Sequence, residues 1–293
     1  MPSWPLMEVA IEPRSASDAD ILNAALSRLV ANDGQLSFTR DKESGHFLLG
    51  GASEEDLDVA LAHLRDSGGP LVTIGAPQVA YREQIGRAVR IDYAHKRIIG
   101  PMGQFAKVVI DFAPAKAGTG FTFENKAGSA VPSEFVPSVE KGVELARQNG
   151  VRAGFPLIDF TATLVDGAYH DIDSSPLAFQ IAAQGAVRDL KENGDVQLAE
   201  PVMTVEVVAP EEFIGPIVTD LNSRRGVIQD QRASGGTATL NAVAPLASMF
   251  GYMNTLSALS EGRATYTMQF REYRTIPPPD DDPPFPPAIG MRA

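Results

Sequence analysis

Apolar positions recur along this chain with two periods, near 2 and near 3.6 residues, and the switches between them mark its elements. Residues 6–76 read as strand, helix, strand, strand, helix, strand. Leu6 to Ile11 is a strand closed by Pro13. Ser17 with Asp20 forms a capping-box-like start, after which Leu22, Leu26, Leu29 and Val30 return at helical spacing. Phe38–Arg40 and His46–Leu49 flank Asp41–Gly45, a hairpin signal in which Gly45 supplies a positive φ. Ser53 with Asp56 opens a second helix carrying Leu57, Leu61 and Leu64 on one face, and Val72 to Ile74 completes the set. This βαββαβ order is the ferredoxin-like pattern.

The same order returns in residues 200–275. Met203 to Val208 is a strand, and Glu211 to Asn222 a helix with an acidic first turn. Pro216 kinks that helix or marks its early turn. Arg224-Arg225-Gly226 ends it. Strands Val227–Gln231 and Thr237–Val243 turn through Ser234-Gly235-Gly236, followed by a helix from Leu246 to about Ser257 and a strand from Ala264 to Phe270.

The stretch between these repeats is different. Its strands are Ala88–Tyr93, Ala106–Phe112, Phe121–Asn125 and Ile158–Val165. One helix covers Glu134 to Gln148 and ends at Asn149-Gly150. The other starts at Ser175 with Pro176 in the favoured first position, and its stripe of Phe179, Ala183, Ala186, Val187 and Leu190 faces a core. Residues 276–293 hold Pro277–Pro279, Asp280–Asp282, Pro283-Pro284 and Pro286-Pro287, a composition suited to disorder or polyproline helix.

Candidate chemistry concentrates in two polar segments of the middle stretch. Asp166-Gly167-Ala168-Tyr169-His170-Asp171-Ile172-Asp173-Ser174-Ser175 joins a strand to a helix and sets a histidine among carboxylates and hydroxyls; Asp166-Gly167 reads as turn chemistry. His95-Lys96-Arg97-Ile98-Ile99-Gly100-Pro101-Met102-Gly103-Gln104-Phe105 reads as a loop between two strands. Gln104 and neutral His170 each offer a donor and an acceptor. Tyr169 is either a stacking surface or a packing anchor. Ser174 and Ser175 are helix caps or polar contacts, and Asp171 and Asp173 stiffen the loop as acceptors. A metal or hydrolytic site on His170, Asp171 and Asp173 is an alternative chemistry. A short loop with one histidine supplies too few fixed ligands for zinc, however, and His46, His63 and His95 lie in separate segments. A ligand-sensing module is a third class that fold alone cannot support.

Charge sharpens the choice. The net value of −12 argues against a general electrostatic grip on nucleic acid. Residues 82–199, however, hold 13 of the 25 basic side chains against 14 acidic ones, so a phosphate backbone would be met there. Zero cysteines exclude disulfides, thiolate metal sites and cysteine nucleophiles. No apolar run approaches the roughly 20 residues that span a bilayer, and the Met1-Pro2-Ser3-Trp4 start lacks signal-peptide features. Neither a Gly-x-x-x-x-Gly-Lys-Ser/Thr phosphate loop nor an Asn-Lys-x-Asp motif occurs; Asn125-Lys126-Ala127-Gly128 does not match the latter.

These strings resemble the C-terminal domains of bacterial translation elongation factor G, across roughly residues 6–275. Gly103-Gln104-Phe105 is similar to that family's Gly-Gln-Tyr/Phe loop end, and His95-Lys96-Arg97 to its His-Lys-Lys entry. Pro77–Glu83 resembles the junction of domains III and IV. Phe123–Lys126 and Val131–Pro137 resemble the domain IV core, Leu198–Met203 the opening of domain V, and Asn222–Ile228 its helix-to-strand signature. Ile98–Met102 departs from the family's polar, Gly-rich run, and Gly51–Asp56 from its Gly-Glu-Leu-His-Leu-type stretch.

The resemblance implies an elongated α+β chain. Residues 1–79 would form a ferredoxin-like domain III and 80–199 a ribosomal-protein-S5-like domain IV. Residues 200–275 would form a ferredoxin-like domain V, followed by a disordered tail over 276–293. It further implies that Gly103, Gln104, Phe105, Tyr169 and His170 form an RNA-contacting tip in the decoding site. Lys96, Arg97, Arg224 and Arg225 are implied rRNA contacts, although Arg224 and Arg225 equally suit a helix end complementing its dipole. The partners implied are the ribosome with its mRNA and tRNA, and a separate GTPase domain, with no membrane; the chain would be a cytoplasmic monomer. GTP and magnesium belong to a domain these residues do not include, so the chain would hold no cofactor and no metal and have no catalysis of its own. Its role would be tRNA–mRNA translocation or, alternatively, ribosome recycling or regulation.

Overall fold

The computed structural model describes residues 5–40, 45–66, 71–99 and 102–276. The Asp41–Ser44 part of the expected hairpin turn, Gly100-Pro101 of the expected loop and the expected tail from Pro277 lie outside the described residues.

The first domain contains β1 (Met7–Pro13), α1 (Ala16–Asn32), β2 (Ser37–Arg40), β3 (Phe47–Gly51), α2 (Glu54–Asp66), β4 (Val72–Ile74) and β5 (Gln78–Val79). Its sheet order β2-β3-β1-β4 is the ferredoxin-like arrangement, with β5 added beside β1 at Met7 and Glu8. Leu22 and Leu26 of α1 and Leu57, Ala60, Leu61 and Leu64 of α2 are buried, as the spacing of apolar positions requires. The start of α1 differs from the expected Ser17/Asp20 cap. Ser15 caps it instead, accepting from the Asp18 amide at 3.1 Å and donating to Asp18 Oδ2 at 2.6 Å. Ser-x-x-Asp occurs twice here, two residues apart; only Ser15 stands outside the helix in extended backbone, where a cap must be. At α2, Ser53 and Asp56 make the expected pair.

The middle domain runs through β6 (Arg82–Ile85), β7 (Val89–Ile99), β8 (Met102–Pro114), β9 (Phe121–Asn125), α3 (Val136–Gln148), β10 (Phe160–Ala168), α4 (Pro176–Arg188) and α5 (Leu190–Asn193). The sheet order is β7-β8-β10-β9; β9 and β10 are parallel, joined by the α3 crossover. Phe179, Ala183, Ala186, Val187 and Leu190 are fully buried, and Phe179 stacks on Phe135 at 4.8 Å between ring centres. A carboxylate anchors the turn after α3. Buried Glu83 accepts from the backbone amides of Val151 (2.7 Å), Arg152 (3.1 Å), Ala153 (2.7 Å), Gly154 (3.1 Å) and Phe155 (3.4 Å), satisfying a run of donors that no regular ladder could serve.

Two expectations change here. His95–Phe105 is not an irregular loop. The β7–β8 pairing continues from Val89↔Phe112 to Ile99↔Met102, leaving only Gly100 and Pro101 between the strands. Ile98, Ile99 and Phe105 favour extended backbone and carry the ladder outward. Asp166-Gly167 is likewise strand, not turn: both pair with β8 beyond a bulge between Leu164 and Asp166.

The last domain comprises β11 (Val196–Pro210), α6 (Ile214–Ser223), β12 (Val227–Ser234), β13 (Thr237–Pro245), α7 (Tyr252–Leu259) and β14 (Thr265–Thr275). Its order β12-β13-β11-β14 repeats that of the first domain, while β6 pairs with residues 196–199 of β11. Glu211–Phe213 form a 3-10 turn ahead of α6, so Pro216 falls in the first turn, where its missing N–H costs nothing. The last helix starts later than expected. Leu246–Ser248 form a separate 3-10 turn, and Gly251 in the left-handed region (φ 67°) resets the chain before α7. Residues up to 80 and Glu200–Arg274 cluster as one compact unit, and Tyr81–Ala199 as another. Within the first unit, Tyr273 donates to the Ala80 carbonyl at 3.0 Å, and the Gly251 amide to Glu54 at 3.2 Å.

Candidate nucleic-acid interface

The far end of the β7–β8 hairpin and the loop after β10 meet. The Phe105 amide donates to the Asp173 carbonyl at 2.9 Å. Ser174 Oγ donates to the Phe105 carbonyl at 2.7 Å and accepts from the His170 amide at 2.9 Å. One hydroxyl thus ties the histidine's own backbone to the hairpin. Gly103 is part of this closure: a Cβ there would lie 2.6 Å from Asp173 Cγ and 2.7 and 2.8 Å from its oxygens, inside van der Waals contact. Ser175, not Ser174, caps α4, accepting from the Ala178 amide at 3.2 Å.

The polar groups at this end have defined directions. His170 Nδ1 accepts from the amides of Asp173 (3.3 Å) and Ile172 (3.4 Å), so the neutral ring carries its proton on Nε2 and presents a donor outward. Asp173 Oδ2 lies 3.5 Å from the same Nδ1. Gln104 is engaged by a residue that the sequence pattern assigns to loop entry: His95 Nε2 lies 3.1 Å from its Oε1. The amide NH2 of Gln104 is left to donate. That contact follows from the extended hairpin, in which Arg97 faces Gln104 and His95 stands diagonally across; the strand register is the signal that would have found it.

Lys96 and Arg97 lie on the same hairpin opposite Phe105 and Gln104, both exposed and, among the described residues, without a carboxylate partner. Tyr169 is exposed (46%), as are Ile98 of the hairpin (79%) and Ile172 of the loop (85%). The structure therefore gathers Lys96, Arg97, Gly103, Gln104, Phe105, Tyr169 and His170 at one end of the middle domain.

Arg224 and Arg225 belong to the other compact unit and are engaged within it. Arg224 donates to Asp220 (2.8 Å), the Ser248 carbonyl (2.8 Å) and Thr255 (2.9 Å), with its guanidinium 5.2 Å from the Tyr252 ring centre. Arg225 makes a two-pronged pair with Glu200 at 2.9 and 2.8 Å. Both hold the turn after α6 in place. Among the described residues no group of three or more histidine and carboxylate side chains is placed to hold a metal ion.

Known proteins share this architecture. Residues 2–76 match the family model for elongation factor G domain III, residues 77–195 that for domain IV, and residues 197–282 that for the elongation factor G C-terminus. Three such domains in this order are the C-terminal series of a translation elongation factor. The curated relatives include elongation factor G of Hyphomonas neptunium, 48% identical over 93% of this chain, and of Ehrlichia chaffeensis, 47% identical over 93%. A crystal structure of a protein from Thermus thermophilus superposes on 95% of this chain with a TM-score of 0.73 and 34% identity, using 42% of its own length. The chain belongs to the elongation factor G family. It spans 39% and 40% of the length of those two relatives.

Proposed function

We propose that these domains are the ribosome-binding portion of an elongation factor G-type protein, and that the middle-domain tip enters the decoding site to assist movement of tRNA and mRNA. One observation carries the reading: Ser174 and Asp173 tie the His170 loop to the backbone of Phe105, so two segments distant in sequence present donors from one end. Outward donors at His170 Nε2 and the Gln104 amide suit base edges, 2′-hydroxyls and phosphate oxygens, and exposed Tyr169 suits stacking. Lys96 and Arg97 add positive charge beside them.

The chain works in the cytoplasm as a monomer, and nucleotide hydrolysis resides in a G domain outside these residues. No helix among the described residues is long and apolar enough to cross a membrane. Co-sedimentation of the purified chain with ribosomes tests the proposal. Binding is expected to weaken as salt rises, and Gln104→Ala with His170→Ala to lower affinity about thirtyfold, as loss of two polar contacts of ~1 kcal/mol each allows. Unchanged affinity in the double variant removes the role assigned to the tip. Absence of ribosome binding at low salt removes the proposal.

A further inference from the structure

Cations of the middle domain differ in their partners. Arg90, Lys107, Lys126 and Arg147 are held by carboxylates. Arg87, Arg152 and Lys191 make no ion pair among the described residues, although they line one cleft of about 600 Å³ together with Glu192, Asp195 and Val196. The cleft lies where three connections converge: the β6–β7 link, the turn after α3 and the α5–β11 link. Their approach is close. The Gly86 amide donates to the Asp195 carbonyl at 3.0 Å, and a Cβ on Gly86 would lie 2.5 Å from Asp195 Oδ2 and 2.7 Å from its carbonyl oxygen.

Both arginines are fixed rather than free. Arg87 Nε donates to the Asn193 carbonyl at 3.0 Å and Arg152 Nη1 to the Val196 carbonyl at 2.7 Å. The Arg152 backbone is itself gripped by Glu83. Each guanidinium therefore spends one N–H on orientation and keeps the rest unoccupied, a preorganised fork for an oxyanion. The carboxylates of Glu192 and Asp195 on the same walls work against a free, multiply charged anion. They suit a singly charged phosphodiester whose neighbouring ribose offers a 2′-hydroxyl as donor.

We infer that this cleft is a second RNA-backbone site, taking a phosphodiester on Arg87, Arg152 and Lys191 and the adjoining ribose hydroxyl on Asp195 or Glu192. It is separate from the tip: seven strand steps of β7 lie between Val89, next to the cleft, and Lys96 of the tip, about 23 Å at the rise of a strand. From the function proposed above the inference takes only its choice of RNA over other phosphodiesters.

The test uses the whole chain and a labelled twelve-base-pair RNA duplex, with DNA of the same sequence and inorganic phosphate as comparisons, followed by fluorescence polarisation across a salt series. Lys191→Glu and Arg87→Gln are each expected to weaken RNA binding about fivefold and to flatten the salt slope by about one. Lys191 makes no side-chain hydrogen bond among the described residues, so its variant keeps the native melting curve and separates binding from folding. The same fold-change is expected in a Gln104→Ala/His170→Ala background. RNA affinity indifferent to both cleft variants overturns the inference, as does equal affinity for DNA and RNA, or a response to inorganic phosphate alone. Ribosome binding that survives such a result leaves the tip reading standing. RNA binding through the cleft without ribosome binding would sink the tip reading alone.

Discussion

Replacing Glu83 by Gln is the sharpest probe of how the middle domain is held together. The carboxylate is fully buried and its two oxygens share the amides of residues 151–155: Oε2 accepts from Val151 at 2.7 Å, Oε1 from Ala153 at 2.7 Å and Gly154 at 3.1 Å, and both from Arg152 at 3.1 Å. Glutamine keeps one oxygen and turns the other into an NH2 that faces backbone donors. One charge-assisted hydrogen bond is lost, worth ~2 kcal/mol, and a buried amide is left unpaired at a further cost of ~2 kcal/mol. The variant should therefore lose about 4 kcal/mol. At roughly 4 °C per kcal/mol for a unit of about 120 residues, its calorimetric transition falls by about 16 °C. Hydrogen exchange at residues 151–155 should accelerate first, and because Arg152 rides on that turn, the cleft loses one of its cations. A Tm within 2 °C of the parent, with unchanged exchange at these amides, would refute the idea that one carboxylate organises the turn.

Further outcomes follow from the same geometry. Gly103→Ala expels the Asp173 carboxylate and should speed amide exchange at Ile172 and Asp173, at a cost of about 1 kcal/mol because that short side chain can rotate away; adding Asp173→Ala restores the parent rate, and failure of the second change to rescue the first contradicts the steric cause. Arg224→Ala strands Asp220 and uncovers Tyr252, lowering stability by about 3 kcal/mol while the folded variant at 10 °C keeps parental ribosome affinity; a selective loss of affinity would restore an RNA role to Arg224. Burial pushes the Glu144 carboxyl up, but hydrogen bonds from Arg147 and Gln148 and the Arg147 charge outweigh it and hold the group below its ordinary range. Stability from this pair is complete above the unfolded glutamate value of about 4.3 and is lost as pH falls through the lowered folded value. Arg147→Gln should then reduce stability near neutrality and flatten the acid side of the stability profile, as urea unfolding across pH 2.5–7 would record, and a parallel offset at every pH would contradict it.

The domain series was legible because each ferredoxin-like unit writes its elements twice over, in hydrophobic period and in turn residues. Leu57, Leu61 and Leu64 mark a helix face as plainly as Val72–Ile74 mark a strand. Ends were harder to place wherever two local signals competed. Ser15 and Ser17 both head a Ser-x-x-Asp pattern, and Gly251 divides what periodicity joins into one helix. The reach of β7 and β8 was hidden because a two-stranded ribbon beyond the core has no buried face to impose alternation, and main-chain pairing alone extends it.

The two polar segments could be singled out from their composition, but the contacts that join them could not. Ser174 Oγ meets a backbone carbonyl 69 positions away, and nothing local distinguishes it from the capping serine beside it. The arginines illustrate the same limit. Arg224 and Arg225 look like free charge at a helix end until the fold brings Ser248, Thr255 and Glu200 to them. Arg87 and Arg152 look like ordinary surface charge until three connections close around them.

The most direct test of the RNA-facing tip is photo-crosslinking on ribosomes. A benzophenone side chain placed at Tyr169, already half exposed at the tip, preserves the Gly103–Phe105 and His170–Ser174 contacts. Crosslinks to small-subunit rRNA or mRNA of the decoding site are expected, with a lower yield in the Gln104→Ala/His170→Ala background. Crosslinks confined to ribosomal proteins away from that site, or a yield no greater than from the same probe at Lys116, would contradict it.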